Sequence, residues 1–258
     1  MLELITSAAE LTPTDVIVEI GPGLGVLTRE LARQAGWVIT VELDNKLAAL
    51  LRQTMASFNN VTIINKDILR IEPPALFEQQ KDKFPQAINS YKVVANLPYY
   101  ITSPVLRHFL EASNKPRIMI VMVQKEVAEA IVARPGQMSL LSVSVQFYGE
   151  PRIISYVPAK SFYPAPEVDS AILRIDLYPQ PAVTVTDEGS FFELVRAGFT
   201  APRKQIGNSL AQGLGLAKGE VLSLLERASI VPRRRAETLT LGEWAQLWQL
   251  FGQLRGKI

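Results

Sequence analysis

Asn96 ends an apolar run and is followed by a proline and two tyrosines in the stretch ANLPYY (95–100). An adenine exocyclic amine is a poor nucleophile, because its lone pair is delocalised into the ring. Two acceptors for its hydrogens would aim that lone pair at an electrophile: the Asn96 side-chain oxygen and a backbone carbonyl at Leu97 or Pro98. Tyr99 offers a flat face for a base removed from its stack. The stretch predicts methyl transfer from a sulfonium to a purine amine.

A second aromatic–proline loop lies in SFYPAPEVDSAILRI (161–175). Phe162, held by Pro164 and Pro166, is predicted to cover the face of the base opposite Tyr99. Each loop also has a purely structural interpretation, as a rigid turn whose aromatic rings pack on the sheet. Residues elsewhere in the chain are needed to distinguish this structural interpretation from the functional one.

The stretch EIGPGLGVLT (19–28) follows an apolar run and opens a helical pattern. Glycines at 21, 23 and 25 allow a sharp turn and a close approach of backbone to a ligand. The helix N-terminus that follows favours a nucleotide-like ligand. The G-x-G-x-G spacing differs from the pyrophosphate-binding G-x-G-x-x-G, and taken alone it also fits a tight strand–helix turn.

Two carboxylates follow the next two predicted strands. Glu42 ends the second strand, 17 residues after Gly25, where it can accept both hydroxyls of a ribose. Asp67 lies just past the third strand and can bind an adenine amine, with Ile68 covering the ring. Together with the glycine loop they predict an adenosine-containing cofactor. A dehydrogenase would fit equally well up to this point, and the Asn96 stretch favours methyl transfer.

Apolar runs alternate with helical patterns over the first two-thirds of the chain, which predicts a parallel sheet covered by helices on both faces. An antiparallel pair is predicted at one edge, which makes the sheet seven-stranded and mostly parallel. SLLSVSVQFY (139–148) fits either a strand or a buried helix. The predicted strands are 16–20, 37–42, 61–65, 92–96, 117–123, 152–158 and 170–177, and the helices between them are 25–34, 45–55 and 103–112.

A boundary is predicted in YPQPAVTVTDEG (178–189), which gives a catalytic domain over 1–178 and an all-helical domain over 179–258. The patterns beyond it are helical, at 191–199, 204–210, 218–228 and 241–254. From Arg196 to Arg235 eight Lys and Arg stand against two Glu, a local charge of +6 in a chain whose net charge is +2. This segment fits a phosphate-binding surface or a solvated helix face.

Composition excludes several classes of function. The 258 residues are 48% hydrophobic and 20% charged, which indicates a substantial core without extensive disorder. The chain has no cysteine and one histidine, His108, which argues against thiolate or His-rich metal sites and His-based triads. The lack of cysteine is compatible with a reducing cytoplasm. Neither a signal peptide nor a membrane span is recognisable, and we expect a cytoplasmic monomer.

In order and spacing, these motifs resemble the rRNA adenine dimethyltransferases, most closely the bacterial small-subunit (16S) branch associated with kasugamycin sensitivity. The resemblance covers nearly the whole chain. It rests on EIGPGLGVLT, VELD, NKDIL, NLPYYITSP, VQKEVAEAI, SFYPAPEVDSAILRI and RAGFTAPRKQIGNSL. It implies a Rossmann-like methyltransferase domain with a small helical domain, and S-adenosylmethionine as donor without a metal. It also implies dimethylation of two adjacent adenosines near the 3′ end of 16S rRNA in an assembling particle.

Carried onto this chain, the resemblance gives three groups of site residues. The catalytic group is Asn96, Leu97, Pro98, Tyr99 and Phe162; the donor-binding group is Glu19, Gly21, Gly23, Gly25, Glu42, Leu43, Asp67, Ile68 and Asn96; the RNA-binding group is Arg203, Lys204, Arg233, Arg234 and Arg235.

The chain departs from the family pattern at two places. Family members usually carry a basic stretch with a Gly-Gln-(His/Asn)-Phe-Leu block before the first helix, and the sequence beginning at Met1 does not contain that block. Tyr100 stands where the family commonly has Asn, and we expect its ring to point away from the reacting amine.

Three alternatives remain open on the sequence. They are a non-catalytic RNA-binding or ribosome assembly factor of the same fold, a large-subunit rRNA adenine methyltransferase, and a DNA adenine methyltransferase. The intact Asn96, Tyr99 and Glu42 count against a purely structural role.

Overall fold

A computed structural model of the protein describes residues 1–78, 90–254 and 256. It contains one seven-stranded sheet. The strands are β1 (Val16–Ile20), β2 (Trp37–Glu42), β3 (Val61–Asn65), β4 (Lys92–Asn96), β5 (Ile118–Gln124), β6 (Gly149–Val157) and β7 (Ser170–Leu177). Their spatial order is β3-β2-β1-β4-β5-β7-β6.

The first five strands run parallel to their neighbours, and β7 pairs antiparallel with β5. This confirms the predicted mostly parallel sheet with an antiparallel edge. The helices are α1 (Leu2–Ala9), α2 (Val26–Gln34), α3 (Asn45–Thr54), α4 (Pro73–Glu78), α5 (Thr102–Leu110), α6 (Lys125–Ile131), α7 (Leu140–Tyr148), α8 (Glu188–Phe199), α9 (Ile206–Leu214), α10 (Lys218–Arg227) and α11 (Leu241–Leu254). Over the part of the chain that the structure describes, none of these helices is long and apolar enough to cross a bilayer.

One face of the sheet is covered by α1 and α2. Alternate strand residues point to the same face, and those of the central strands form a continuous apolar surface against the two helices. The buried cluster contains Ile5 and Ala9 from α1, Leu27 and Leu31 from α2, and Ile17, Val94, Ile118, Ile120, Met122 and Ile172 from the sheet.

The chain order reverses between β1 and β4, which are adjacent although β2 and β3 intervene in sequence. Ligands of open parallel sheets bind outside the carboxyl ends of the strands at such a reversal. The stretches that follow β1 and β4 are the glycine loop and the Asn96 loop. The topology therefore places both predicted parts of the site side by side.

The chain folds into two compact units: Met1–Glu129 with Glu150–Tyr178, and Ala130–Gly149 with Pro179–Ile258. The second stretch of the second unit starts at Pro179, next to the predicted boundary. The segment Ala130–Gly149, which the predicted division places in the catalytic domain, groups with the helical unit.

The ambiguous stretch 139–148 is the helix α7. The Ser139 side chain accepts a hydrogen bond from the Ser142 backbone N–H and caps its first turn. The helix is buried over most of its circumference, and the Phe147 ring stacks on Phe191 with ring centroids 5.0 Å apart. A helix buried on nearly all sides has no polar stripe, which explains why its period could not be read from the sequence.

We expect Gly213→Ala to destabilise the helical unit. A Cβ at this position would lie 2.6 Å from both the Cα and the carbonyl oxygen of Ala197, so α8 and α9 would have to separate. Overpacking of this kind costs about 1–3 kcal/mol, measurable as a lower midpoint of denaturant unfolding. The matched control is Gly219→Ala, because a Cβ on Gly219 would meet no atom within 4 Å. An unchanged midpoint for Gly213→Ala would contradict this packing.

Candidate active site

The glycine loop after β1 depends on a left-handed backbone at all three glycines. The φ angles of Gly21, Gly23 and Gly25 are 66°, 56° and 77°. At Gly25 there is also no room for a side chain, since a Cβ would lie 2.5 Å from Leu51 Cδ1. The loop therefore turns directly into α2, with the helix N-terminus behind it.

The Glu42 carboxylate joins the end of β2 to this loop. Its Oε2 accepts a hydrogen bond from Gly23 N (3.2 Å), and its Oε1 accepts one from Asp44 N (2.9 Å). A carboxylate has about four lone-pair sites. Glu42 can therefore hold the loop and still accept hydrogen bonds from a ligand.

The third strand end is tied to the second by Asn65, a residue that the sequence interpretation overlooked. Its Nδ2 donates to Glu42 O (2.8 Å) and to Leu43 O (3.2 Å). Asp67 Oδ1 accepts from Leu69 N (3.0 Å) and caps a short 3-10 turn, in which Ile68 is buried. An amide at the end of a predicted strand was the available signal, as it was for Asn96.

The Asn96 loop is fixed by backbone hydrogen bonds. Asn96 is the exposed last residue of β4, and Leu97 N donates to Met122 O (3.2 Å). The Pro98 carbonyl accepts from Ile101 N (3.1 Å). Gly21 and Pro98 line the same cavity, and an ideal Cβ on Gly21 would lie 3.5 Å from Pro98 Cδ, so this loop lies beside the glycine loop.

Tyr99 is anchored through its hydroxyl group, which lies 2.8 Å from Ser170 Oγ at the start of β7. Ser170 is fully buried, so the phenol oxygen is held at a fixed depth. Tyr100 is 79% exposed. The two adjacent tyrosines thus have different surroundings.

Two cavities lie at the meeting point of these loops. The first has a volume of about 350 Å³ and the second about 380 Å³, within the range of about 300–1,000 Å³ that is usual for small-molecule sites. Gly21, Asn96 and Phe162 line both. The first is completed by Leu97, Pro98, Tyr99, Pro164 and Pro166, and the second by residues that include Glu19, Gly23, Met122 and, from α1, Leu2 and Ile5.

Eight of the thirteen predicted catalytic and donor-binding residues line these two cavities. Gly25 and Glu42 do not line either cavity. They shape the glycine loop, Gly25 by its left-handed backbone and Glu42 by the hydrogen bond that it accepts from Gly23 N. Leu43, Asp67 and Ile68 lie at the ends of β2 and β3, outside the lining of both cavities. Within the described ranges 1–78 and 90–254, no group of three or more His, Asp or Glu side chains could hold a metal ion.

Comparison with known proteins gives the family. The model of the family described as "Ribosomal RNA adenine dimethylase" matches residues 1–251. The chain belongs to this family. It is 53% identical to "Ribosomal RNA small subunit methyltransferase A" of Dehalococcoides mccartyi strain 195, over 96% of this chain and 82% of that protein. It is 45% identical to the protein of the same name from Moorella thermoacetica, over 94% and 85% of the two chains.

Two solved structures have the same fold as this chain. The 23S rRNA methyltransferase ErmE superposes with a TM-score of 0.69 at 28% identity, covering 96% of this chain and 95% of its own. A dimethyladenosine transferase from Plasmodium falciparum gives a TM-score of 0.78 at 23% identity, covering 99% and 96%. These findings confirm the predicted family, its Rossmann-like fold and the prediction that the chain is an enzyme.

Glu19 is a buried acidic residue of this dimethylase. The side chain lies beside the second cavity; Oε2 accepts a hydrogen bond from the Thr28 hydroxyl group (2.7 Å), whereas buried Oε1 has no hydrogen-bond partner in the described part of the chain. Burial raises the pKa of Glu19 to about 8; the hydrogen bond from Thr28 lowers it, and the Glu42 charge raises it by a smaller amount. An unsatisfied buried polar group is costly, and below about pH 8 the carboxyl group is mostly protonated.

The basic residues of the helical unit differ in their surroundings. Arg203, Lys204, Arg233 and Arg235 are exposed. Arg234 is half-buried: its guanidinium group donates to the Glu243 carboxylate and to the Thr238 carbonyl. Ile206 N donates to Arg234 O (2.6 Å), which joins the start of α9 to this basic segment.

We expect Glu19→Gln to remove a pH dependence of folding. In the unfolded chain Glu19 ionises near its ordinary pKa of 4.5, and in the folded protein near 8. Between these values the folded state binds more protons, so the free energy of unfolding falls as pH rises. The glutamine variant lacks this fall, and its denaturant midpoint relative to the parent protein should increase from about pH 5 to about pH 8.

The control is Glu193→Gln, which changes an exposed carboxylate on α8. Its midpoint relative to the parent should vary less over the same pH range. A constant difference for Glu19→Gln would show that Glu19 is already ionised in the folded protein.

Proposed function

We propose that this dimethylase transfers methyl groups from S-adenosylmethionine to the exocyclic amines of two adjacent adenosines near the 3′ end of 16S rRNA. It does so in the cytoplasm, during biogenesis of the small ribosomal subunit. The observation that carries the proposal is that the glycine loop and the Asn96 loop line the same cavities, with Tyr99 and Phe162 beside them.

Identity favours the small-subunit substrate over the large-subunit alternative. Relatives named for small-subunit rRNA are 45–53% identical to this chain, whereas the 23S rRNA methyltransferase ErmE is 28% identical at similar coverage. The intact Asn96 loop and the polar donor side of the cavities also disfavour a non-catalytic assembly factor.

The chemistry requires two acceptors for the amine hydrogens. Asn96 offers its side-chain oxygen from the exposed end of β4. The second acceptor is a backbone carbonyl of Leu97 or Pro98; the Pro98 carbonyl already accepts from Ile101 N and has one lone pair left, which favours Leu97. When bound, S-adenosylmethionine supplies an electrophilic methyl group. A nitrogen–carbon bond forms as the carbon–sulfur bond breaks, and the amine loses one proton for each methyl group gained.

A neutral amide suits this step better than a carboxylate. Asn96 can grip the amine without forming an ion pair with a sulfonium or with the nitrogen while it is positively charged. Such a pair would have to be broken before the proton leaves. Tyr99 and Phe162, which both line the first cavity, would cover the two faces of the base.

The donor is assigned to the second cavity and the adjoining strand ends. Glu19 would accept from its ammonium group, Glu42 from the ribose hydroxyls and Asp67 from the adenine amine, with Leu43 and Ile68 against the ring. Leu43 is 63% exposed, and its side chain is available for such a contact. The glycines at 21 and 23 keep the approach free of side chains.

We expect Asn96→Ala to abolish methyl transfer while leaving donor binding within a few-fold of the parent protein. The variant removes one of the two groups that aim the amine lone pair, so the loss falls on kcat. The assay uses small ribosomal subunits from cells that lack the gene for this protein. Mass spectrometry of their 16S rRNA should find dimethyladenosine after treatment with the parent protein and none after treatment with Asn96→Ala.

The matched control is Tyr100→Asn, a change in the same loop at an exposed position, which should retain activity. A near-normal rate for Asn96→Ala would remove the amine-gripping role. Methyl incorporation into large-subunit RNA or duplex DNA instead of small subunits would contradict the proposed substrate.

The helical unit is proposed to bind rRNA through its exposed basic residues. Hydrogen bonds from Ile206 N to Arg234 O and from Gly207 N to Pro232 O hold the loop that carries Arg203 and Lys204 near the segment 233–235. The ion pair of Arg234 with Glu243 stabilises that segment. We therefore assign phosphate contacts to Arg203, Lys204, Arg233 and Arg235, and give Arg234 a supporting role.

We expect the double variant Arg233→Ala/Arg235→Ala to weaken RNA binding and to lower the slope of log K against log salt by about two, roughly one for each phosphate contact. The charge-matched control is Arg196→Ala/Arg227→Ala, which removes two exposed arginines on α8 and α10. Equal losses of slope for the two double variants would indicate non-specific attraction by net charge.

A further inference from the structure

The C-terminal end of α1 is held by two buried cations. The helix ends at Glu10 in a left-handed conformation. The last carbonyls of a helix lack partners within it. At this end of α1, side chains of the sheet bind those carbonyls.

Lys92, the first residue of β4, provides one of these contacts. It is 1% exposed, and its Nζ donates to Ala9 O (2.9 Å), to Glu10 O (2.7 Å) and to Asp15 Oδ2 (2.8 Å). An ammonium group has three donors, so all three are used. Two of them bind carbonyls at the end of α1.

Arg174 on β7 provides the other contact. Its Nη1 donates to Ala8 O (2.7 Å) and to Glu10 Oε1 (2.6 Å). Its Nε and Nη2 donate to Asp176, which fixes the plane of the guanidinium group. Three consecutive residues at the end of α1 are thus bound by side chains of two strands.

Lys92 lies on the same face of the sheet as Asn96. Lys92, Val94 and Asn96 alternate along β4 and point to the same face. Val94 packs with Ile5 of α1 in the buried cluster. The five-residue strand β4 therefore begins with Lys92, which binds the end of α1, and ends with Asn96, whose amide is proposed to bind the amine.

The other half of α1 is part of the wall of the second cavity, which is lined by Leu2 and Ile5 together with Glu19, Gly21 and Asn96. Apolar packing holds Ile5 to the sheet but is non-directional. The hydrogen bonds of Lys92 and Arg174 are directional, and they fix how far the helix lies along the sheet and how it is rotated.

We infer that Lys92 and Arg174 are positioning residues for the methyl donor: they hold α1 so that Leu2 and Ile5 close one side of the donor cavity. The inference rests on the proposed function, because it takes the second cavity as the donor site.

The test is Lys92→Met, which keeps most of the side-chain volume and removes the three hydrogen bonds. If α1 then occupies its closed position only about a tenth of the time, the KM for S-adenosylmethionine rises about tenfold. The value of kcat at saturating donor and the KM for small subunits should stay within about twofold, because the Asn96 loop is unchanged. Amide hydrogen exchange of residues 2–10 should be faster without donor and should slow again when donor is added.

The matched control is Lys115→Met. The Lys115 Nζ donates to Ala112 O (3.0 Å), just past the end of α5, so this variant removes a lysine from another helix end. It should leave the KM for the donor unchanged. A second variant, Glu10→Gln, removes only the charge that pairs with Arg174 and should raise the donor KM about threefold; it decides the question if Lys92→Met fails to fold.

Faster exchange of α1 without a change in the donor KM or Kd would overturn the positioning role and leave the proposed function intact. A fall of kcat at saturating donor and small subunits, with the donor KM unchanged, would also overturn it, because it would indicate a general structural defect. If calorimetry finds that the parent protein does not bind S-adenosylmethionine, the proposed function itself fails, whatever the behaviour of α1.

Discussion

The pairing of β1 with β4 is the constraint on which the rest of the site depends. It brings the loop after β1 beside the loop after β4, although two strands separate β1 and β4 in sequence. Side chains larger than hydrogen at Gly21 would be forced into a left-handed backbone. The pairing places a proposed donor site and a proposed base site within two cavities that share Gly21, Asn96 and Phe162.

Buried polar groups around these cavities have two different roles. Lys92 and Arg174 are fully partnered and hold structure, whereas Glu19 keeps one oxygen without a hydrogen bond in the described part of the chain. A satisfied network rigidifies its surroundings, and an unsatisfied group is a site of ligand recognition or strain. The cavity wall thus combines a helix whose last carbonyls are bound by two cations with a buried carboxyl oxygen that has no hydrogen bond in the described part of the chain.

Much of the fold could be predicted because its local signals agree with its global arrangement. Strands buried on both faces appear as short apolar runs, and the left-handed turn after β1 requires the glycines that the sequence shows. The helix α7 could not be assigned, because Leu141, Val143, Val145 and Phe147 alternate with polar residues as in a strand, although the segment is a helix buried on nearly all sides. The grouping of residues 130–149 with the helical unit was also invisible locally, because it depends on packing with residues far along the chain.

The sequence by itself determined the residue types of the proposed site, Asn96 with Tyr99, Glu42 and the three glycines, and the family to which the chain belongs. Only the tertiary structure decided which carbonyls near Asn96 are already bonded, which arginines are exposed, and how α1 is held. Sequence motifs report residues close together along the chain. The partners of Lys92 and Arg174 are more than 70 and 160 residues away at α1, and such pairs are set by strand order and by the face to which each side chain points.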